Sequence, residues 1–236
     1  MAAVRPSSSP AWPSANAPES GYALADLAGD AQGVIAALGL DRFILVGRSV
    51  GGKVGQLLAS RRPEGLAGLV LVAPSPPSPL NLPLDVRQGM VGAHTSRESV
   101  ISTVEQVLAG KALGPGDLES VVADSLKGAA AKAAWPLAAS QEDITAAVAN
   151  IGAPTLVISG DKDRVDPPAV LRRALLPRIP QARLQVLPGI GHLSPLEAPA
   201  DIARLIRTFA RSLDAGCERP VEASPGRALA TPTGPS

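Results

Sequence analysis

Three short stretches hold residues whose types and spacing could do chemistry together. In the first, Gly47-Arg48-Ser49-Val50-Gly51, a serine stands between two glycines directly after the apolar run Phe43–Val46. The second, "SGDKD", brings Asp161 and Asp163 to the end of another apolar run, with Asp166 close behind. The third, "PGIGH", ends on His192. A serine hydroxyl is a weak nucleophile alone and needs a base within hydrogen-bond reach. A histidine can be that base, and a carboxylate can fix its tautomer and stabilise the imidazolium. The chain order is serine, acid, histidine, with Asp161, Asp163 and Asp166 competing for the acid. The other histidine, His94 in "GAHTS", precedes the acid stretch and reads as a surface or lid residue.

The spacing around Ser49 has a mechanical reason. A sharp turn from strand to helix holds the serine in a strained backbone conformation and exposes its hydroxyl. Side chains two residues to either side would meet backbone, so Gly47 and Gly51 are expected to supply the room. The helix that starts there has unsatisfied N–H groups in its first turn, directed at whatever charge develops nearby. The N–H of Val50 is the expected oxyanion donor.

These stretches need a frame. Phe43–Val46 is a short continuous apolar run, as expected of a strand buried on both faces. "LAGLVLVAP" from Leu66 to Pro74, Thr155–Ser159 and Arg183–Leu187 read as three more strands. Helices are expected over Tyr22–Leu40 and Val50–Arg62, the second closed by Pro63 with Arg61 and Arg62 against its dipole. Ile202, Leu205, Ile206 and Phe209 mark an amphipathic closing helix between Pro199 and Leu213. Strands alternating with helices predict an α/β fold with a doubly wound parallel sheet. Functional groups of such sheets gather beyond the C-terminal ends of the strands, where all three stretches fall. The expected organisation is an irregular segment over 1–20, a core over 21–74 and 151–214, a helical insertion over 75–150 and a disordered tail over 215–236.

Composition excludes several function classes. The chain has 236 residues, which fits one large domain, and 45% apolar residues, ample for a core. A net charge of +1 gives no reason to expect nucleic acid or an anionic membrane as partner. Aromatics make up 2%, too few for stacking platforms. The single cysteine, Cys217, excludes an intrachain disulfide and a cysteine-rich metal cluster. No apolar run reaches the roughly 18 residues of a membrane span, and the first twenty residues lack the core of a signal peptide. A cytoplasmic location, a small-molecule substrate and no cofactor are the expectations.

With these motifs in view, the chain resembles the α/β-hydrolase superfamily, in its small lidded esterase, perhydrolase and haloperoxidase-like branch. "LVGRSVGG" is similar to that family's nucleophile elbow, "APTLVISGDKD" to its acid strand and turn, and "LPGIGHLSPLEAP" to its histidine loop. The resemblance implies that the acid comes three residues after Gly160, which selects Asp163 and leaves Asp161 and Asp166 as solvated turn or capping residues. It implies a helical lid over the insertion, with Trp135 either a wall of the acyl pocket or a packing residue. Arg48 stands where many relatives carry histidine, and reads as a spacer. A serine at the elbow argues against epoxide hydrolase and haloalkane dehalogenase chemistry, in which a carboxylate attacks. The activity implied is hydrolysis of a small ester or related acyl compound. Acyl transfer or carbon–carbon bond hydrolysis on the same triad is the alternative.

The same family carries strands and a His-Gly loop ahead of the elbow, and nothing in the first twenty residues matches them. The expectation is therefore an N-terminally truncated sheet whose Phe43–Val46 strand is an exposed edge, open to self-association. One oxyanion donor fewer would cost about 10²–10³ in turnover. An impaired enzyme or a non-catalytic binding module is the competing reading.

Overall fold

The computed structural model describes residues 18, 20–127 and 129–217. Of the two terminal segments set apart above, 1–17, 19 and 218–236 lie outside the described residues. Among the described residues, four parallel strands form one sheet in the order β1-β2-β3-β4: β1 Phe43–Arg48, β2 Leu66–Val72, β3 Thr155–Gly160 and β4 Ala182–Leu187. All four fall within two residues of their predicted positions.

Alternation across the pleat builds two apolar layers. Leu69, Leu71 and Val157 face one side and pack with Leu24 of α1 (Leu24–Ala37), Ala59 of α2 (Val50–Ser60) and Leu171 of α8 (Pro168–Ala174). Val70, Val72, Leu156 and Ile158 face the other side, against Ile202, Leu205, Ile206 and Phe209 of α10 (Pro199–Cys217). Helix α10 therefore runs on past the expected end at Leu213. The central strand β3 is buried throughout, and five of the seven residues of β2 are buried. β1 departs from expectation. It pairs only with β2 among the described residues, and Val46 is 49% exposed, so this run is not buried on both faces.

The insertion between β2 and β3 is helical. It comprises α3 (Leu84–Gly92), α4 (Arg97–Thr103), a π-helical turn (Val104–Leu108), α5 (Pro115–Ser125), α6 (Ala129–Leu137) and α7 (Thr145–Val148). Its outer part has a small core of its own, built from Val100, Val104, Ala109 and Val122. Leu193, just after the histidine loop, completes that core and joins the lid to the sheet domain. A short helix α9 (Ser194–Glu197) follows. Among the described residues, no helix is long and apolar enough to cross a membrane.

Candidate active site

Ser49 sits at the junction of β1 and α2 with φ 51° and ψ −120°, in a region L-residues rarely adopt. Strain of this kind costs about 1–3 kcal/mol and persists where surrounding contacts hold it. The turn is held by Ser49 N–H donating to the Val72 carbonyl (3.1 Å) and by Gly52 and Lys53 N–H groups donating to the Ser49 carbonyl (2.9 and 3.2 Å). The room comes from Gly47 and Gly52. A Cβ on Gly47 would strike the Gly51 carbonyl, and one on Gly52 would lie 2.7 Å from Pro74 Cβ. Gly51, the expected partner of Gly47, has nothing within 4 Å of a built Cβ. The correction follows from helical geometry: the first turn presents Gly52, one residue further on, to the neighbouring β2 end.

The structure brings Ser49, His192 and Asp163 into one hydrogen-bonded line. His192 Nε2 is 2.9 Å from Ser49 Oγ, and His192 Nδ1 is 2.9 Å from Asp163 Oδ2. The other oxygen of Asp163 accepts the N–H groups of Val165 and Asp166, each at 2.9 Å. Burial pushes the Asp163 carboxyl up. The His192 hydrogen bond and charge, with these two N–H donors, outweigh it and hold the group below its ordinary value. Asp163 is thus an anion fixed behind an imidazole. Val50 is the first residue of α2, so its N–H has no acceptor within the helix.

Asp161 is an exposed turn residue, as expected, accepting the Gly189 N–H (2.7 Å). Asp166 is not solvated. It is 1% exposed and accepts a hydrogen bond from Ser75 Oγ at Oδ2 (3.2 Å). Burial, then the neighbouring Asp163 charge, pushes it up to about 8. Its neutral form is therefore favoured in the fold, so the stability it contributes is full below the unfolded value near 4 and is lost as pH rises through 8. Asp166→Asn is expected to unfold with wild type near pH 4 and above it by a margin that widens up to about pH 8. Thermal melts across that range measure it, and a margin that does not change with pH refutes the burial argument. Lys53, fully buried and donating to the carbonyls of Ser78 and Glu142, is a cation whose charge reaches the same carboxyl.

Arg48 is more than a spacer. Its guanidinium donates to the His192 carbonyl (3.0 Å), so the residue before Ser49 steadies the loop that carries His192. Burial lowers its pKa, opposed by the charges of Asp163 and Glu197. Glu197 is a further member of the site with no motif to mark it. It is 4% exposed, and its Oε2 accepts N–H groups from Gly191 (2.9 Å), Gly110 (2.8 Å) and Lys111 (3.3 Å), clamping the lid to the histidine loop. Its place between two prolines in "SPLEAP" is the only sequence signal for it. The His192 N–H donates to the lid carbonyl of Leu108 (2.7 Å), strengthening the same seam. Glu197→Ala is expected to cost about 2–3 kcal/mol, because it orphans buried donors. Amide exchange should then rise first at 108–111; uniform protection would remove the clamp.

Trp135 lies on α6 and packs against the core cluster that contains Ala139, Ile144 and Val148, which is a packing role. His94 is a half-buried lid residue whose Nδ1 is buried without a partner in the described residues. Among the described residues, no group of three or more His, Cys, Asp or Glu side chains could hold a metal ion.

A strained serine thus follows one parallel strand, with a histidine and a buried acid in the loops after two other strands. The model of the alpha/beta hydrolase family matches residues 6–205. The chain belongs to that family. A non-heme haloperoxidase from Rhodococcus erythropolis is 29% identical over 194 residues, covering 73% of this chain and 69% of its own length. A 2-(acetamidomethylene)succinate hydrolase from Mesorhizobium japonicum is 27% identical over 203 residues, covering 81% and 72%. The crystal structure of a bromoperoxidase from Bacillus anthracis superposes with a TM-score of 0.78 at 16% identity, over 85% of this chain and 79% of that one, which shows a shared fold. This α/β-hydrolase is thus an enzyme of the hydrolase type, with the parallel sheet and covering helices of its relatives.

Proposed function

We propose that this α/β-hydrolase cleaves small esters or related acyl compounds through an acyl-enzyme on Ser49. The observation that carries the reading is the unbroken line from Asp163 through His192 to Ser49, with both contacts at 2.9 Å. In the first half-reaction, His192 Nε2 takes the Ser49 proton as Oγ attacks the carbonyl carbon. The Val50 N–H donates to the oxygen that becomes anionic. His192 then returns the proton to the leaving alcohol, and the C–O bond to that alcohol breaks. In the second half-reaction, water loses a proton to His192 and attacks the acyl carbon; the bond to Ser49 Oγ then breaks, His192 returns the proton to Oγ, and the acid leaves. Asp163 stays ionised and balances the imidazolium in both halves. Trp135 is proposed as a wall of the acyl side of the pocket in addition to its packing role.

A second reading rests on the relative that hydrolyses 2-(acetamidomethylene)succinate. On the same residues the leaving group would differ and the substrate would carry carboxylates. The test uses p-nitrophenyl acetate and butyrate with a fluorophosphonate probe. Burst release of nitrophenol, with labelling of Ser49 found by peptide mapping, supports ester hydrolysis. A folded protein that takes no label overturns it and leaves the non-catalytic reading.

A further inference from the structure

A second buried carboxylic acid stands beside the proposed triad and takes no part in the proton transfers above. Asp166 lies three residues after Asp163, and its side chain turns inward to the loop after β2. There Ser75 Oγ donates to Asp166 Oδ2 (3.2 Å). Ser75 is itself held twice: its N–H donates to the Ser49 carbonyl (3.1 Å), and its carbonyl accepts from Gln56 Nε2 of α2 (2.9 Å). From the other end, the Asp166 N–H donates to Asp163 Oδ1 (2.9 Å). These bonds close a ring. It runs from the Ser49 backbone through Ser75, Asp166, Asp163 and His192, and returns to the Ser49 hydroxyl.

We propose that Asp166, anchored by Ser75, is a positioning residue that ties the acid turn to the elbow and so aims Asp163 at His192. It rests on the proposed Ser49–His192–Asp163 assignment. The physical case is one of cost. A buried carboxyl beside an ionised one is unfavourable, whereas an apolar side chain of similar size in that place would not be. The charge of buried Lys53 favours an acid at 166 but only partly offsets burial and the neighbouring Asp163. What the acid supplies is a fixed acceptor 3.2 Å from Ser75, and through it a fixed N–H at Asp163. Without that anchor the acid turn keeps its bonds from Lys162 N–H to the Ile190 carbonyl and from Arg164 to the Gln106 carbonyl, but loses its side-chain tie to the elbow, and Asp163 Oδ2 loses part of its aim. An acid that turned in merely to fill space would not be tied to the nucleophile's own carbonyl.

The experiment compares Asp166→Ala, Ser75→Ala and Asp166→Asn with wild type. Asparagine keeps an acceptor for Ser75 and cannot ionise. The first readout is the low-field proton resonance of His192 Nδ1–H in histidine-labelled protein, assigned by its survival in His94→Gln. It should weaken or shift upfield in both alanine variants and remain in Asp166→Asn. The second is ester turnover per labelled site: kcat should fall about tenfold in the alanine variants with KM within twofold, and recover to within about threefold in Asp166→Asn. Wild-type resonance in both alanine variants overturns the proposal, as does a fall shared equally by all three. If Asp166→Ala does not fold, Ser75→Ala, which removes only the anchor, decides between these outcomes. A change in the resonance with no esterase activity in wild type would sink the ester-hydrolase reading and leave this one standing.

Discussion

Replacing Ser49 by alanine is expected to lower kcat/KM on p-nitrophenyl esters by about 10⁴-fold or more and to abolish fluorophosphonate labelling. In the proposed mechanism Ser49, His192 and Asp163 act as a unit, so removing Ser49 removes covalent catalysis outright. The variant should fold, because the same backbone bonds hold the turn: Ser49 N–H to Val72 and the Ser49 carbonyl to Gly52, Lys53 and Ser75. A companion variant separates chemistry from strain. Ser49→Gly puts at φ 51° the one residue that adopts it freely, and should raise the melting temperature while turnover stays absent. A Ser49→Ala protein that keeps more than a few per cent of turnover would take the nucleophile's role from Ser49.

Gly160→Ala is expected to cost about 4 kcal/mol or more, a large part of the 5–15 kcal/mol typical of a domain. At this position β3 ends directly against the histidine loop. A Cβ there would collide with the Ile190 carbonyl oxygen and lie 2.5 Å from its carbon and 2.9 Å from the Gly191 oxygen. Both sides of the clash are backbone, and both are tied down: Lys162 N–H donates to the Ile190 carbonyl (2.9 Å), and Asp161 N–H to the Leu187 carbonyl (3.0 Å). A rotamer change cannot relieve it. Any folded fraction must move the loop that carries His192, so activity per folded molecule should fall as well. Gly33→Ala is the control. It lies on α1 with nothing within 4 Å of a built Cβ, and should gain about 0.5–1 kcal/mol. Equal melting temperatures for Gly160→Ala and wild type would refute the close approach.

Most of the frame is readable from patterning, because buried parallel strands are short continuous apolar runs bounded by turns. Thr155–Gly160 and Leu66–Val72 are of this kind. The three chemical groups are readable because each sits at the end of such a run. What escapes depends on how loops cross in space. Asp161, Asp163 and Asp166 look alike in sequence, yet one is exposed, one faces His192 and one is tied to Ser75. The fate of Asp166 is set by a loop more than eighty residues away in the chain. Arg48 and Glu197 escape for the same reason, since their partners are backbone groups that carry no sequence signature. The lid is weakly patterned because its residues are divided between two cores: α4 and α5 close on a small one built around four small or branched residues, while Trp135 and Val148 pack on the sheet side. β1 reads as doubly buried because its composition matches β2 and β3, whereas in the described residues one of its flanks is open.

The contact between lid and histidine loop sets what can be exchanged between relatives. Gly110 and Gly191 lie so close that a Cβ on Gly110 would be 2.5 Å from the Gly191 nitrogen, and Leu108 supplies the acceptor for His192 N–H. A lid transplanted from another family member would have to bring a glycine at 110 and a carbonyl at 108 in register. Otherwise the loop that carries His192 would lose this seam. Changes to the lid of this chain therefore have to leave residues 108–111 in place, because they hold the loop that carries His192.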